Sequence, residues 1–124
     1  MPANILVVED DPLVAMGIQL VLEEEGYEVL LAASGEAAVH AVAARTPSMV
    51  LMDVNLNGAM GGIEAAELIS SGFALPVIFV TAQTDAATYK KAMAARPRGF
   101  LKKPFTPNQL LNAVQTVSKT PSRD

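Results

Sequence analysis

Short apolar runs rich in β-branched residues alternate along this chain with longer segments of helical period. This alternation restricts the possible folds more than any other feature of the sequence. Three runs have no polar residues in alternation, which is typical of strands covered on both faces: residues 5–8, 50–52 and 77–80. Two shorter or charge-flanked runs look like edge strands: residues 29–32 and 100–101. The pattern predicts five βα units around a parallel sheet, and 124 residues suit one domain over residues 1–124.

The helical segments carry recognisable start and stop residues. The first begins at Asp11-Pro12 and ends at Gly26, and we expect one apolar stripe of it to face the sheet: Leu13, Met16, Gly17, Leu20 and Val21. Further helices are predicted near residues 36–45, 62–71 and 85–95. The last begins with a capping box from Thr106 to Gln109, ahead of an apolar face of Leu110, Ala113, Val114 and Val117. Residues 119–124 are predicted to form a loose tail.

Composition excludes several kinds of site and compartment. The chain has no cysteine and one histidine, His40, so we expect no disulfide, no thiol nucleophile and no histidine-rich zinc site. Any bound metal must therefore use oxygen ligands. The sequence shows no secretory leader and no uninterrupted apolar run of membrane-spanning length, which predicts a cytoplasmic protein without membrane association.

Charge is distributed unevenly between the two ends of the chain. Residues 1–89 carry twelve acidic side chains and one basic side chain, whereas residues 90–124 carry eight basic and one acidic. We expect an acidic protein surface to contact the basic segment through four side chains: Lys90, Lys91, Arg96 and Arg98. No nucleic-acid recognition motif is present, so direct nucleic-acid binding is not expected.

Residues with reactive or metal-binding side chains stand directly after the predicted strands. After the first, third, fourth and fifth strands come, respectively, Glu9 and Asp10, Asp53 and Asn55, Thr81, and Lys103. Ligands of parallel α/β folds bind at the carboxyl edge of the sheet. We therefore expect these residues to converge in space although they are far apart in sequence.

Carboxylates held close together repel one another and take up protons unless a cation joins them. Magnesium is the natural cation, because it takes oxygen ligands and is commonly held by one or two carboxylates together with phosphate oxygens. A carboxylate can also attack phosphorus and form an aspartyl phosphate. On this reasoning Asp53 could attack, Asp10 could hold the metal, and the Lys103 ammonium and Thr81 hydroxyl could bind phosphoryl oxygens.

Four motifs resemble those of the receiver domain of two-component response regulators, the CheY-like family, over essentially the whole chain. They occupy residues 5–12, 52–56, 80–82 and 99–105 and read ILVVEDDP, MDVNL, VTA and GFLKKPF. Each motif alone is weak evidence for the family, but all four motifs in this order are strong evidence. The resemblance implies a doubly wound five-stranded parallel sheet of flavodoxin-like order 2-1-3-4-5, with five helices on its two faces.

The resemblance also implies the chemistry of the phosphorylation site. It makes Asp53 the phosphoacceptor for a histidine kinase or a histidine phosphotransfer protein. It places Mg²⁺ on Glu9, Asp10, Asp53 and the main-chain carbonyl of Asn55. A receiver of this kind is not a conventional enzyme, but is expected to catalyse its own phosphorylation and dephosphorylation.

A second set of residues is implied to report the phosphorylation. Thr81 and Lys103 match the phosphoryl-binding positions, and the bond that precedes Pro104 is often cis in the family. Thr81 and Phe100 match the switch positions. The face formed by the fourth helix, fifth strand and fifth helix would then bind a downstream protein or, in a homodimer, a second copy of the chain.

Two segments depart from the family pattern. The turn after Asp53 is glycine-rich from Gly58 to Gly62, where the family usually has a proline, and we expect a more mobile loop with altered metal affinity or phosphate lifetime. The segment before the fifth strand carries Arg96 and Arg98 in place of a turn of Gly-Ala-Asp type, which bears on partner choice.

Other interpretations of the same residues stay open. The fold could serve a phosphorylation-independent adaptor, a flavodoxin-like cofactor binder or a phosphatase with an Asp-x-Asp nucleophile. The acidic run after the first strand disfavours the flavin binder, and Asn55 in place of a second acid disfavours the phosphatase. Phe100 could serve core packing alone, whereas Asp11 is interpreted as a helix N-cap and His40 as a structural residue.

Overall fold

The computed structural model describes residues 3–56, 58–82 and 85–119. Five strands and five helices alternate along the chain: β1 (Asn4–Val8), α1 (Pro12–Glu24), β2 (Glu28–Ala32), α2 (Gly35–Ala44), β3 (Met49–Asp53), α3 (Gly62–Phe73), β4 (Val77–Thr81), α4 (Ala86–Ala94), β5 (Gly99–Lys102) and α5 (Pro107–Lys119). Every predicted element is present, and the bounds differ from prediction by one or two residues.

The strands form one parallel sheet in the order β2-β1-β3-β4-β5. All five residues of β3 and all five of β4 are buried, as expected for central strands covered on both faces. Strands β2 and β5 are the edges and are more exposed. The predicted fold class, strand order and edge strands are confirmed.

Alternate residues of the strands feed two apolar layers, one on each side of the sheet. Helices α1 and α5 cover one side, where their buried residues pack on strand residues such as Ile5, Leu51 and Ile78. Helices α2, α3 and α4 cover the other side, where they pack on residues such as Leu6, Met52 and Phe79. The doubly wound arrangement leaves the carboxyl edge of the sheet open between the two layers.

The helix ends follow the predicted chemistry. The Leu13 N–H donates to Asp11 Oδ1 at 3.0 Å, which makes Asp11 the N-cap of α1, and Gly26 after that helix has a φ of 93°. At α5 the Gln109 N–H donates to Thr106 Oγ1, and the Thr106 N–H donates to Gln109 Oε1. This reciprocal pair is the predicted capping box.

The predicted inner stripe of α1 is wrong. Leu13, Met16 and Leu20 are 78%, 54% and 56% exposed, and Gly17 is exposed as well, whereas the buried residues of the helix are Ala15, Ile18 and Leu22. Of the predicted stripe, Val21 alone is half-buried against the core. Almost every position from Leu13 to Leu22 is apolar, so two stripes of equal spacing compete and periodicity does not select one.

Helix α4 is held to the body by little apolar contact. Among its nine residues, all of them described, only Ala92 is buried. The buried faces of α3 and α1, by comparison, contain four and three residues. Helix α4 is therefore the helix that can shift or unfold locally at least cost in buried area.

The described residues end with α5. Lys119 is the last residue of that helix, and residues 120–124, which belong to the predicted tail, lie outside the described residues. Across the described ranges, none of the helices has the length and apolar character needed to cross a membrane.

Candidate functional site

The parallel register brings the strand ends to one edge. Asp53, the last residue of β3, lies beside Val80, and Thr81, the last residue of β4, lies beside Lys102. Glu9 follows the end of β1 directly, and its N–H donates to the Ala32 carbonyl. The expected convergence at the carboxyl edge is thus found in the structure.

Three carboxyl groups meet at this edge: those of Glu9, Asp10 and Asp53. One oxygen from each lies within 4.8 Å of the other two, and Glu9 and Asp53 are buried. The Lys103 ammonium donates to Glu9 Oε1 at 2.7 Å and to Asp53 Oδ2 at 3.2 Å. Residues separated by 94 and 50 positions in sequence therefore form one ionic cluster.

Burial and the neighbouring charges shift the pKa values of this cluster in opposite directions. Burial raises the pKa of Glu9 above its ordinary value of 4.5, although the hydrogen bond from Lys103 lowers it in part. Burial lowers the pKa of Lys103, but the hydrogen bond to Glu9 and the charges of Asp53 and Glu9 outweigh it and raise that pKa above 10.5. The lysine therefore stays charged, and Glu9 binds a proton more readily than a free glutamate.

The group of four side chains has a charge imbalance that suits a divalent cation. Three carboxylates face one ammonium, and all three offer the oxygen ligands that magnesium takes. Glu9, Asp10 and Asp53 could hold the metal together. The described residues thus fit the Mg²⁺ site that the sequence predicts.

The backbone around Asp53 is fixed from both sides. The Asn55 N–H donates to Asp53 Oδ1 at 2.9 Å and orients the carboxylate. Gly62, at the start of α3, donates to the Val54 carbonyl, and a Cβ at Gly62 would collide with the Asp53 carbonyl oxygen. Glycine is thus required there for α3 to approach the end of β3.

The predicted switch residues lie on neighbouring strands. Thr81 is buried, and its carbonyl accepts from the Lys103 N–H at 2.8 Å. Phe100 is half-buried against the core layer on the α4 side of the sheet. Its ring contacts the ring of Tyr89 on α4 edge to face, with centroids 5.3 Å apart and an interplanar angle of 64°. The bond between Lys103 and Pro104 is cis, as the resemblance implied.

Two residues near the site were not predicted. Tyr89 falls in a helix with little apolar periodicity, so only its aromatic character could have suggested a contact with Phe100. Gly62 belongs to a glycine-rich run in which the sequence does not show which glycine meets Asp53. Spacing to the following helix start is the one sequence signal that could have identified Gly62.

The basic side chains expected on the partner face are spread over several surfaces. Lys90 is exposed on α4. Lys91 and Arg96 line grooves between α3 and α4 that also contain Glu67. Arg98 lines a groove at the opposite edge of the sheet, with Ser48 and Val117 among its other lining residues. The four cations therefore do not form a single patch.

A doubly wound sheet of this order, with a carboxylate cluster and a lysine at its carboxyl edge, defines the CheY-like class of α/β proteins. A comparison with protein families matches residues 5–115 to the response regulator receiver domain. The chain belongs to the response regulator receiver family, whose members act in two-component signalling.

Named relatives and solved structures agree with this membership. The DNA-binding response regulator MtrA of Mycolicibacterium smegmatis is 32% identical over 93% of this chain and 50% of its own length. The transcriptional regulatory protein YvrH of Bacillus subtilis is 37% identical over 94% of this chain and 49% of its own length. The chain thus spans about half the length of these curated relatives.

The structural similarity is equally extensive. The signal receiver domain of a modulated diguanylate cyclase from Desulfovibrio desulfuricans superposes with a TM-score of 0.89 and is 34% identical, with 94% of each chain covered.

Proposed function

We propose that the chain is a phosphoryl-accepting receiver in which Asp53 forms an aspartyl phosphate. The ionic cluster supports this proposal most directly, because the Lys103 ammonium lies between Glu9 Oε1 and Asp53 Oδ2 at 2.7 and 3.2 Å. A phosphohistidine of a kinase or phosphotransfer protein is the expected donor. An Asp53 oxygen bonds to phosphorus while the P–N bond breaks and its electron pair returns to the imidazole nitrogen.

Charge neutralisation is the main requirement of this step. Lys103 lies beside the Asp53 carboxylate and is proposed to bind a phosphoryl oxygen, and the hydroxyl of Thr81, at the end of β4, is proposed to donate to another. Asp10, Asp53, Glu9 and the Asn55 carbonyl would hold Mg²⁺. When bound, the metal supplies positive charge that stabilises the phosphoryl oxygens during transfer.

The switch is proposed to connect Asp53 with α4 through Thr81 and Phe100. An aspartyl phosphate adds roughly one to two negative charges and acceptor oxygens that attract the Thr81 hydroxyl. Movement of Thr81 would open space for the Phe100 ring, which then leaves its contact with Tyr89. Because α4 buries only Ala92, loss of this contact would loosen the helix.

Acetyl phosphate with Mg²⁺ tests the proposal without any partner protein. We expect one phosphoryl group to add to the parent chain by intact-mass spectrometry, and none to add to Asp53→Asn. The matched control is Asp11→Asn, which changes the neighbouring acid outside the cluster and keeps an N-cap acceptor. No incorporation into the parent, or equal incorporation into Asp53→Asn, would favour the phosphorylation-independent adaptor.

The donor is proposed to dock on an exposed apolar surface that we call the α1 surface: Leu13, Met16, Gly17 and Leu20. The surface continues into an apolar groove of about 600 Å³ between α1 and α5, whose lining includes Lys103 and Pro104. A helix seated there would lie beside a side chain that contacts Asp53. Glu23, Glu24 and Glu25 end the surface with negative charge, which favours a donor with basic residues around its apolar contact.

The downstream target is proposed to bind the face formed by α4, β5 and α5, and a homodimer through the same face is a second use of it. Lys90 on α4 and Lys102 on β5 are exposed cations on that face, and they favour an acidic target. Charge reversal at Lys90 should weaken target binding by the beryllofluoride-loaded protein, whereas reversal at Arg98, at the opposite edge, should not. Equal binding by both variants would return the basic segment to a general solubility role. A cytoplasmic location stays a prediction.

A further inference from the structure

The loop between β3 and α3 begins directly after Asp53 and ends directly before Gly62, which again lies against the Asp53 backbone. Its first residues include Asn55, whose carbonyl is a proposed magnesium ligand, and its last residue precedes Gly62. The loop is rich in glycine and has no proline, so its own sequence does not make it rigid. The contacts that its described residues make with other elements therefore bear on its position.

The first turn of α2 makes one such contact. Gly35 is buried, and a Cβ at this position would lie 2.8 Å from the Met60 carbonyl oxygen and 3.1 Å from Met60 Cγ. Met60 also packs against the core layer on that side of the sheet. The loop backbone is thus seated directly on the backbone of Gly35, and only glycine permits that approach.

A second contact lies next to the first. Gly58 has a φ of 111°, a conformation that favours glycine, and a Cβ built at this position would lie 3.9 Å from Glu36 Oε1. Glu36 stands in the first turn of α2, where the positive end of the helix dipole stabilises its charge. Its Oε1 is buried and has no hydrogen-bond partner among the described residues. The loop therefore passes the start of α2 near Gly58 as well as at Met60.

We propose that Gly35 is a positioning residue for magnesium, because it seats the loop that carries the Asn55 carbonyl. The inference rests on the proposed metal site at Glu9, Asp10 and Asp53. Gly35 touches none of these side chains, and it acts through the Met60 backbone. The affinity for the metal is then set partly from α2, an element that supplies no metal ligand.

The variant Gly35→Ala tests this assignment. The new Cβ has to displace the Met60 backbone, so we expect Mg²⁺ affinity, measured by calorimetry on the unphosphorylated protein, to fall about tenfold. Phosphorylation by acetyl phosphate should fall at low Mg²⁺ and return to within about twofold of the parent at saturating Mg²⁺. The control Gly72→Ala, in α3, adds a Cβ with nothing within 4 Å and should bind Mg²⁺ as the parent does.

Each result separates a positioning role from a general one. A folded Gly35→Ala with parental Mg²⁺ affinity would overturn the assignment, and so would an equal loss in Gly72→Ala. If Gly35→Ala does not fold, Met60→Ala decides, because the packed Met60 side chain holds the Met60 backbone against Gly35 and its removal releases that contact without a clash. A parental affinity in Met60→Ala would then overturn the assignment. Failure of the proposed function itself would differ, because the parent would bind no Mg²⁺.

Discussion

Gly62 stands where helix α3 meets the carbonyl group of Asp53, and this contact admits no side chain. We predict that Gly62→Ala destabilises the fold by roughly 1–3 kcal/mol, because the new Cβ forces the backbone of Asp53 or Val54 to shift. Urea denaturation gives the free energy of unfolding. Gly72→Ala, in the same helix and open to solvent, should instead stabilise by about 0.5–1 kcal/mol. A Gly62→Ala variant as stable as the parent would show that the contact is loose.

The protonation of Glu9 should oppose metal binding. Its raised pKa means that, between its ordinary value of 4.5 and the folded value, the folded chain holds a proton that the unfolded chain has lost. In the absence of metal, stability should therefore fall as pH rises through that window. Mg²⁺ needs the carboxylate, so Mg²⁺ affinity should rise over the same window.

Calorimetric titrations with Mg²⁺ on either side of this pKa measure the effect. Glu9→Gln removes the titrating group, and its Mg²⁺ affinity should change less with pH than that of the parent. Equal pH dependence in both proteins would place the titration elsewhere. Lys103 does not interfere, because its raised pKa lies above 10.5 and its stabilising charge is lost only as pH rises through that folded value.

The grouping of charged side chains around Asp53 could be predicted from sequence, whereas the packing around it could not. Glu9, Asp10 and Lys103 follow strands, so the rule that parallel strands end at one edge was enough to bring them together. The need for glycine at positions 35 and 62 depends on how closely the backbones of different elements approach one another, which leaves no room for a Cβ. Sequence patterns describe single elements and contain no such distances.

At the scale of elements, helix α1 shows the limit of periodicity. Its N-cap at Asp11, its stop at Gly26 and its length were predictable because caps are local chemistry. The face that the helix turns to the sheet was not predictable, because α1 carries apolar residues on nearly all sides. An all-round apolar helix is usually buried, so the exposed half of α1 indicates a surface that a partner covers.

Substitution on the α1 surface should separate donor docking from phosphoryl chemistry. We predict that Met16→Lys or Leu20→Lys lowers the rate of phosphotransfer from a phosphorylated histidine donor about tenfold, as loss of one central contact does. The rate with acetyl phosphate, which needs no docking, should not change. Leu68→Lys makes the same change at a residue of similar exposure, 49%, on the opposite side of the sheet and should affect neither rate. Equal loss with both phosphodonors would contradict docking at α1.

At the scale of the whole molecule, the carboxylate cluster should make stability depend on divalent cations. We predict that Mg²⁺ at about a hundred times its Kd raises the free energy of unfolding by about 2.7 kcal/mol, through binding to the folded chain alone. Asp53→Asn should be more stable than the parent without metal, since one repelling charge is gone, and should gain less from Mg²⁺.

Thermal unfolding with and without Mg²⁺ gives both values, and Asp11→Asn serves as the control that should respond as the parent does. Unfolding in Ca²⁺ tests whether the site selects small cations, because Ca²⁺ prefers more ligands and longer bonds than Mg²⁺ does. We expect Ca²⁺ to stabilise the chain less than Mg²⁺. A parent that gains no stability from Mg²⁺ would contradict the assigned metal site.

The small number of buried residues in α4 affects how the sequence and the targets of such a domain can change. Ala92 is the one buried residue among the nine of that helix, and Thr88 and Tyr89 make its cap and ring contacts, so the other positions can change with little effect on folding. The surface offered to a target can thus be rewritten while the sheet and the carboxylate cluster stay intact. Duplicated copies of this domain could acquire separate targets by substitutions in one short helix, and the same freedom makes α4 the natural segment to redesign for insulated signalling pairs.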